Sequence, residues 1–329
     1  MQDQEPLAPN ARQSYAGIDV CKDWLDVHLH PAGTSMRVAN DAAGLKTLKC
    51  ALAGPGVARI VMEATGKFHR LARRNLHDSG FCVCVINPAR ARHFAKALGT
   101  IAKTDPIDAR ILALYGEAMD PRASVPCACD FELLQELVHA RQSAMGQVAA
   151  LKNQRKAAAS DFLKAELAGR VKEVVAHARR LDAEIARLVA ADALLARRHE
   201  ILRSIPGVGS ITAVALAADL AEMGSCANKK IAMLAGLAPV NCESGGKIGP
   251  ARIDGGRWHV RTALFMAALA AVRCRKGDFK VFHQRLRARG KPHKVALVAV
   301  MRKIVELANT LVTDNRLWTA ERPERKIAA

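Results

Sequence analysis

The sequence predicts an α/β domain, then a helical coiled-coil segment, then a mainly α domain with a helix-hairpin-helix. Three observations carry this reading. Short apolar strands and amphipathic helices share roughly the first 120 residues. A charged helical pattern with an apolar seam runs from about 131 to 203. Beyond it, Pro206-Gly207-Val208-Gly209 joins two apolar helical patterns. The boundaries drawn on this basis are 14–125, 126–203 and 204–315, with a tail over 316–329.

In chain order, "SYAGIDV" is a short apolar strand. "WLDVHLH" alternates apolar and polar as its hairpin partner, with Cys21 to Asp23 as the turn. "TSMRVAN" is a third strand. "DAAGLKTLKCALAG" has helical spacing, with Asp at its start and Gly54 at its end. "ARIVMEAT" is a buried strand, "KFHRLARRNLHDSG" an amphipathic helix and "FCVCVIN" another strand. "PARARHFAKALG" and "DPIDARILALYGEAM" close the unit as helices. Three antiparallel strands followed by alternating helices and strands is the order of an RNase H-like fold.

In the middle segment Val171, Val174, Ala178, Leu181, Ile185, Leu188 and Leu195 recur at spacings of three, four or seven among charged residues. That seam suits self-association and an intramolecular helical hairpin equally well. In the third segment, the glycines of "IPGVGS" would let backbone N–H groups approach a phosphate at a helix N-terminus. The alternative is a plain glycine-rich helix turn. A glycine-rich loop, "NCESGGKIGPARIDGG", then leads into the apolar helix that begins near Trp258.

Half of the chain is hydrophobic and aromatic residues are scarce, a composition that favours helices. The longest uncharged apolar run, "TALFMAALAAV", is well short of the roughly 20 residues that a membrane span needs. The N-terminus is polar without an apolar stretch, so a cytoplasmic protein with reduced thiols is expected. The pairs Cys82/Cys84 and Cys127/Cys129 have one-residue spacers, which is not the spacing of a structural zinc site. Net charge is +19, and residues 252–303 alone hold 14 basic residues against 2 acidic. A solvated face would mix signs. Positive charge concentrated in this way is the footprint of a nucleic-acid binder.

Four carboxylates stand out. Asp19 lies inside a strand between Ile18 and Val20, and Glu63 ends the apolar strand "RIVMEAT". Strand interiors disfavour Asp, and a buried carboxylate is costly unless paired or bound to metal. Asp105 and Asp108 are three apart and so share a helix face. Asp105 directly precedes Pro106, and taken alone it reads as a helix cap. Capping cannot account for Asp19 or Glu63. In an RNase H-like sheet the two strands are neighbours, and the last helix brings the other two acids alongside. Four converging carboxylates repel one another, and two hard divalent cations would resolve that, Mg²⁺ first and Mn²⁺ as the alternative.

The blocks "GIDVCKDWLDV", "VMEATG", "INPARARHFAKALGTIAKTDPIDARILA", "IPGVGSITA" and "GLAPVNCESGGKIG…GGRWHVRTALFMAALA" occur in that order. Together they resemble the DEDD transposases of the IS-one-ten insertion-sequence family, over about Ser14 to Leu311. The resemblance implies a RuvC-like catalytic domain, a coiled-coil segment and a C-terminal transposase domain. It implies RNA-guided recombination of donor and target double-stranded DNA, directed by a structured non-coding RNA. By position, Asp19, Glu63, Asp105 and Asp108 are the DEDD acids and metal ligands, and Ser244 in "ESGG" is the serine nucleophile that forms a phosphoserine intermediate. Gly207, Gly209, Lys247, Arg252, Arg257, Arg261, Arg273 and Arg275 are the nucleic-acid-binding candidates. A homo-oligomer, dimer or tetramer, and association with the nucleoid are expected.

The competing classes fit less well. A hydrolytic RuvC-like junction nuclease would use the same acids but has no need of Ser244. A non-catalytic RNA- or DNA-binding protein would not bury acids in apolar strands. An actin-like ATPase needs small residues after the first Asp, where this chain has "VCKDW". A tyrosine recombinase needs a tyrosine in the basic region, and both tyrosines, Tyr15 and Tyr115, lie outside it.

Overall fold

The computed structural model describes residues 13–320 except 55, 65, 101–103, 125–128, 242, 245–246, 250 and 275–276. At 129–130, 243–244 and 247–248 it describes the backbone alone. The chain divides into two compact units, Met1–Cys127 and Ala128–Ala329.

The first unit is built on a five-stranded mixed sheet. Its elements are β1 (Ser14–Val20), β2 (Trp24–His30), β3 (Thr34–Ala39), α1 (Ala42–Ala53), β4 (Val57–Glu63), α2 (His69–Asp78), β5 (Val83–Ile86), α3 (Pro88–Ala97) and α4 (Asp105–Met119). The strand order is β3-β2-β1-β4-β5. β1 to β3 form an antiparallel meander, and β4 and β5 run parallel to β1. This topology is compatible with an RNase H-like domain.

Ala16, Ile18 and Val20 of β1, Leu25, Val27 and Leu29 of β2, and Ile60 and Met62 of β4 form one core with Leu45, Leu48 and Leu52 of α1 and Ala72 and Leu76 of α2. Burying each of the three α1 leucines contributes roughly 1.5–3 kcal/mol, and all three are at most 1% exposed. Asp41 caps α1 by accepting from the Gly44 amide at 2.8 Å. The opposite face of the sheet carries α3 and α4, with Val61, Cys84 and Ile86 packed on Ala91, Leu112 and Tyr115.

α4 crosses this face against β1, β2 and β4, and glycine permits the approach. A Cβ at Gly17 would fall on the carbonyl oxygen of Ala109 and the amide nitrogen of Ala113. The helix backbone therefore rests directly on the strand. Asp105 is not the cap that its own stretch, taken alone, would suggest. Thr104 is the N-cap residue, without a side-chain cap bond, and Asp105 is the first helical residue.

The second unit is helical: α5 (Cys129–Ala157), α6 (Asp161–Ala191), α7 (Ala193–Ser204), α8 (Ser210–Asp219), α9 (Asn228–Leu234), α10 (Trp258–Arg273), α11 (Asp278–Ala288) and α12 (His293–Thr313). α5 and α6 pair along their length as a hairpin within the chain, and Arg141 Nε donates to Asp182 Oδ1 at 2.6 Å across it. Ala178 and Ile185 of the expected seam are buried, so apolar positions of the seam serve the chain's own fold. The main core gathers Ile201, Leu202, Leu216, Ile231, Leu264, Val300 and Ile304 from α7 to α10 and α12. The glycine-rich loop is partly ordered as two short antiparallel ribbons. One pairs β6 (Pro239–Val240) with β9 (Arg252–Ile253), and the other pairs β7 (Glu243–Ser244) with β8 (Lys247–Ile248). The start of the expected tail folds back, the Trp318 amide donating to Ser204 Oγ at 2.8 Å. Among the described residues, no helix is long and apolar enough to cross a membrane.

If the α4–β1 contact sets the unit's geometry, Gly17→Ala must lift the helix or collapse the fold, a loss of about 3 kcal/mol or more. Gly54→Ala is the control, because Gly54 has a helical backbone conformation and nothing within 4 Å of the added methyl. Urea unfolding of the two variants measures the difference.

Candidate active site

Alternation along the strands decides which side chains meet. Successive strand residues point to opposite faces. With Ile18 and Val20 in the α1–α2 core, Gly17 and Asp19 point to the face that α4 covers. On β4, Ile60 and Met62 take the core side, which sends Glu63 to the α4 side. β1 and β4 run parallel with Ile18 opposite Met62, so Asp19 and Glu63 are the next step along adjacent strands. Asp105 and Asp108 occupy the first turn of α4. The other three acids act on Asp19. Burial, then the charges of Asp108, Asp105 and Glu63, push the Asp19 carboxyl from 3.8 up to about 6.

A fifth acid sits on the same face. Asp26 of β2 lies directly opposite Asp19 and is 5% exposed. It is neutralised from β3, where Arg37 Nε and Nη2 donate to its two carboxylate oxygens at 2.9 Å each. The same Nη2 reaches Asp105 Oδ2 at 3.3 Å. The three-residue turn of the β1–β2 hairpin pairs 19 with 26, so this acid was legible in the sequence once register was considered. As they stand, no three His, Cys, Asp or Glu side chains among the described residues converge to hold an ion, and Arg37 occupies Asp105. The donor set still suits a hard divalent cation in kind. It is oxygen-only, and burial followed by the charges of three neighbouring acids raises the Asp19 carboxyl. Burial, then Asp19, Asp105 and Asp26, also push the Cys21 thiol up, which keeps it protonated beside the acids.

A cleft of about 490 Å³ opens at this face, lined by Glu63 and Asp108 together with Arg92 and Lys96 of α3. The two cations are four residues apart and share a helix face. Neither was singled out from the sequence, because "PARARHFAKALG" reads as an ordinary amphipathic helix.

The candidates in the second unit have mixed surroundings. Ser244 and Lys247 pair through their backbones in the β7–β8 ribbon, and their side chains lie outside the described atoms. Gly245, Gly246 and Arg275 lie outside the described residues. Gly207 has φ +86, and a Cβ there would meet the Ala267 carbonyl at 2.6 Å and Ala271 at 2.6–2.7 Å. Its missing side chain makes room for α10. Gly209, at the N-cap of α8, has nothing within 4 Å, so that helix start is open. Arg252 and Arg273 are exposed. Arg261 donates to the Gly255 carbonyl at 2.8 Å. Arg257 grips both carboxylate oxygens of Glu222 at 2.6 Å and also the Asp219 carbonyl at 2.7 Å. Burial raises the Glu222 carboxyl, but the Arg257 pair outweighs it and holds that group below its ordinary value.

A family model described as a DEDD transposase of the IS110 type matches residues 16–162. A second, described as the transposase IS116/IS110/IS902 family, matches residues 199–284. A pilin gene-inverting protein of Moraxella bovis is 27% identical over 313 residues, covering 92% of this chain and 97% of its own length. The pilin gene-inverting protein of Moraxella lacunata matches to the same extent. An insertion element IS110 protein of 43.6 kDa from Streptomyces coelicolor is 30% identical over 165 residues, covering 50% of this chain and 40% of its own length.

Two substitutions test the electrostatics. Because the folded-state pKa of Asp19 is raised, its cost to stability is absent below about 3.8 and fully present above about 6. Asp19→Asn removes that cost, discounted here for partial solvent exposure. In EDTA at pH 7.5 the variant is expected to melt roughly 2–4 °C higher than the parent, with the gain vanishing as pH falls towards 4. Arg257→Ala, which strands Glu222, is expected to cost about 1–3 kcal/mol, whereas Arg273→Ala stays within about 0.5 kcal/mol. Thermal melts of the two arginine variants give the comparison.

Proposed function

The chain belongs to the IS110 family of DEDD transposases, DNA-recombining enzymes, and on that premise we propose an RNA-guided recombinase that exchanges DNA strands through a serine-linked intermediate. The observation that supports the catalytic part is that Asp19, Glu63, Asp105 and Asp108 face the same side of the sheet, where burial and then the charge of the other three acids lift the Asp19 carboxyl. The family typically uses divalent metal ions, and for oxygen-only donors Mg²⁺ is the ion we propose. When bound, such a cation stabilises charge developing on a phosphodiester.

The chain's own residues do the rest in this reading. The four acids would hold the cation. Arg92 and Lys96 draw the DNA backbone into the cleft that Glu63 and Asp108 also line. Ser244 Oγ attacks phosphorus, its proton passing to a base. The new Ser–O–P bond forms as the P–O bond to the leaving strand breaks, and the leaving strand ends in a hydroxyl. The incoming strand's hydroxyl then attacks the phosphoserine and frees the serine. The phosphodiester count is kept, which hydrolysis would not do. The relatives named for gene inversion support this step, since inverting a segment requires rejoining both of its ends.

Delegation of sequence reading to a guide RNA rests on the family resemblance. It suits a chain with concentrated positive charge and no base-reading motif that we recognise. Two DNA molecules must be cut together, so a homo-oligomer of two or four chains is part of the proposal. α6 already spends apolar positions of its seam on the chain's own hairpin, which points the assembly to other surfaces.

The test is a denaturing gel with end-labelled DNA and the RNA that co-purifies with the protein. Wild type is expected to leave a protein–DNA adduct in Mg²⁺ and none in EDTA. Ser244→Ala should keep RNA and DNA binding but lose both adduct and strand exchange, by at least about 10³-fold. Cleavage without any adduct, or recombination by Ser244→Ala, would establish a hydrolytic junction nuclease instead.

A further inference from the structure

The entrance to α10 holds a feature that the catalytic reading does not use. The His259 ring lies 4.0 Å from the His139 ring, centroid to centroid and 15° from parallel. It lies 3.6 Å from Trp258, at 33°. Two neighbours this close to one imidazole must take its two faces, so the three rings form a column. The column is anchored at its inner end. Asp219 is 4% exposed, and its Oδ1 accepts from His139 Nε2 at 2.8 Å. His259 Nδ1 meets Gln142 Oε1 at 2.5 Å, which fixes the middle ring. Asp219 also accepts from Gln135, and its backbone carbonyl accepts from Arg257, the residue next to Trp258. The outer end is open, with Trp258 58% exposed.

An indole held flat from behind by two stacked rings has lost its side-chain entropy already, so a further ring can stack on it at little cost. Two features of the surroundings select a nucleobase as that ring. Trp258 lies within residues 252–303, where 14 basic residues face 2 acidic, so the partner is a polyanion. The N-terminus of α10 carries no side-chain cap, leaving backbone N–H groups beside the indole for an adjoining phosphate. Bases paired within a duplex are stacked on one another and do not present a face. We propose that the Trp258–His259–His139 column is a stacking platform for one unpaired nucleobase of the DNA being recombined, at a strand end or junction where pairing is interrupted. The inference rests on DNA being the substrate and is independent of the serine chemistry.

The chain has three tryptophans, so Trp24→Phe/Trp318→Phe leaves Trp258 as the only indole. In that background, checked for folding by circular dichroism, fluorescence is titrated with three duplexes: fully paired, with one bulged nucleotide, and with an abasic residue at the bulge. The bulged duplex is expected to quench Trp258 and to bind about 10-fold tighter than its abasic counterpart. Trp258→Ala should abolish that preference without changing affinity for the paired duplex, and Trp258→Phe should restore most of it. Equal quenching by bulged and abasic duplexes, or a preference that survives Trp258→Ala, overturns the platform. So does a Trp258→Ala variant that changes only its sedimentation, which would mark a protein contact. Filter retention of the paired duplex separately reports whether DNA binding itself holds.

Discussion

The first unit depends on a single close approach, the backbone of α4 lying on β1 at Gly17. Had any larger residue occupied that position, the helix would stand off the sheet by the thickness of a side chain. Asp105 and Asp108 would then be carried away from Asp19 and Glu63. The second glycine in this contact is Gly116, where a Cβ would press on Val61 and Tyr15 at 3.0 and 3.3 Å. Two missing side chains, one in a strand and one in a helix, thus set the depth at which α4 and its two acids lie on the sheet.

That depth creates an electrostatic problem which the unit solves only in part. Asp26 and Asp105 share the guanidinium of Arg37, which also lies 5.5 Å over the Trp24 ring. Among the described residues no such partner offsets Asp19 in the same way, and burial, then the charges of Asp108, Asp105 and Glu63, raise its carboxyl. An apolar residue there would relieve the repulsion that this half-buried carboxylate feels from its neighbours. Such a cost is what the proposed catalytic role of Asp19 would entail.

The second unit disposes of its charge differently. Arg257, Arg261 and Arg287 donate to groups of the chain itself, so the 14 basic residues of 252–303 are not all free to meet phosphate. Arg252 and Arg273 remain exposed. Arg257 in particular ties the start of α10 to Glu222 and to the Asp219 backbone. The end of the glycine-rich loop is thereby attached to the helical core by a half-buried ion pair.

Much of this was legible in the sequence. Alternation in "SYAGIDV" and "WLDVHLH", the Asp41 cap and the apolar run before Glu63 are local signals, so the strands, their order and the four acids could be read from them. Asp26 could be read too, given the hairpin register. Arg37, Arg92 and Lys96 could not, because an exposed cation carries no mark of what it faces. The glycines of "IPGVGS" signalled close approach, but not that α10 is what approaches Gly207. By itself the sequence determined the elements, their periodicity, the strand faces and the residue types available for chemistry, since these follow from spacings of two to four residues. Tertiary structure alone decided which cation neutralises which acid and that His139, Asp219 and His259 converge from distant positions in the chain. Those contacts arise from how whole helices pack, and no local pattern records that.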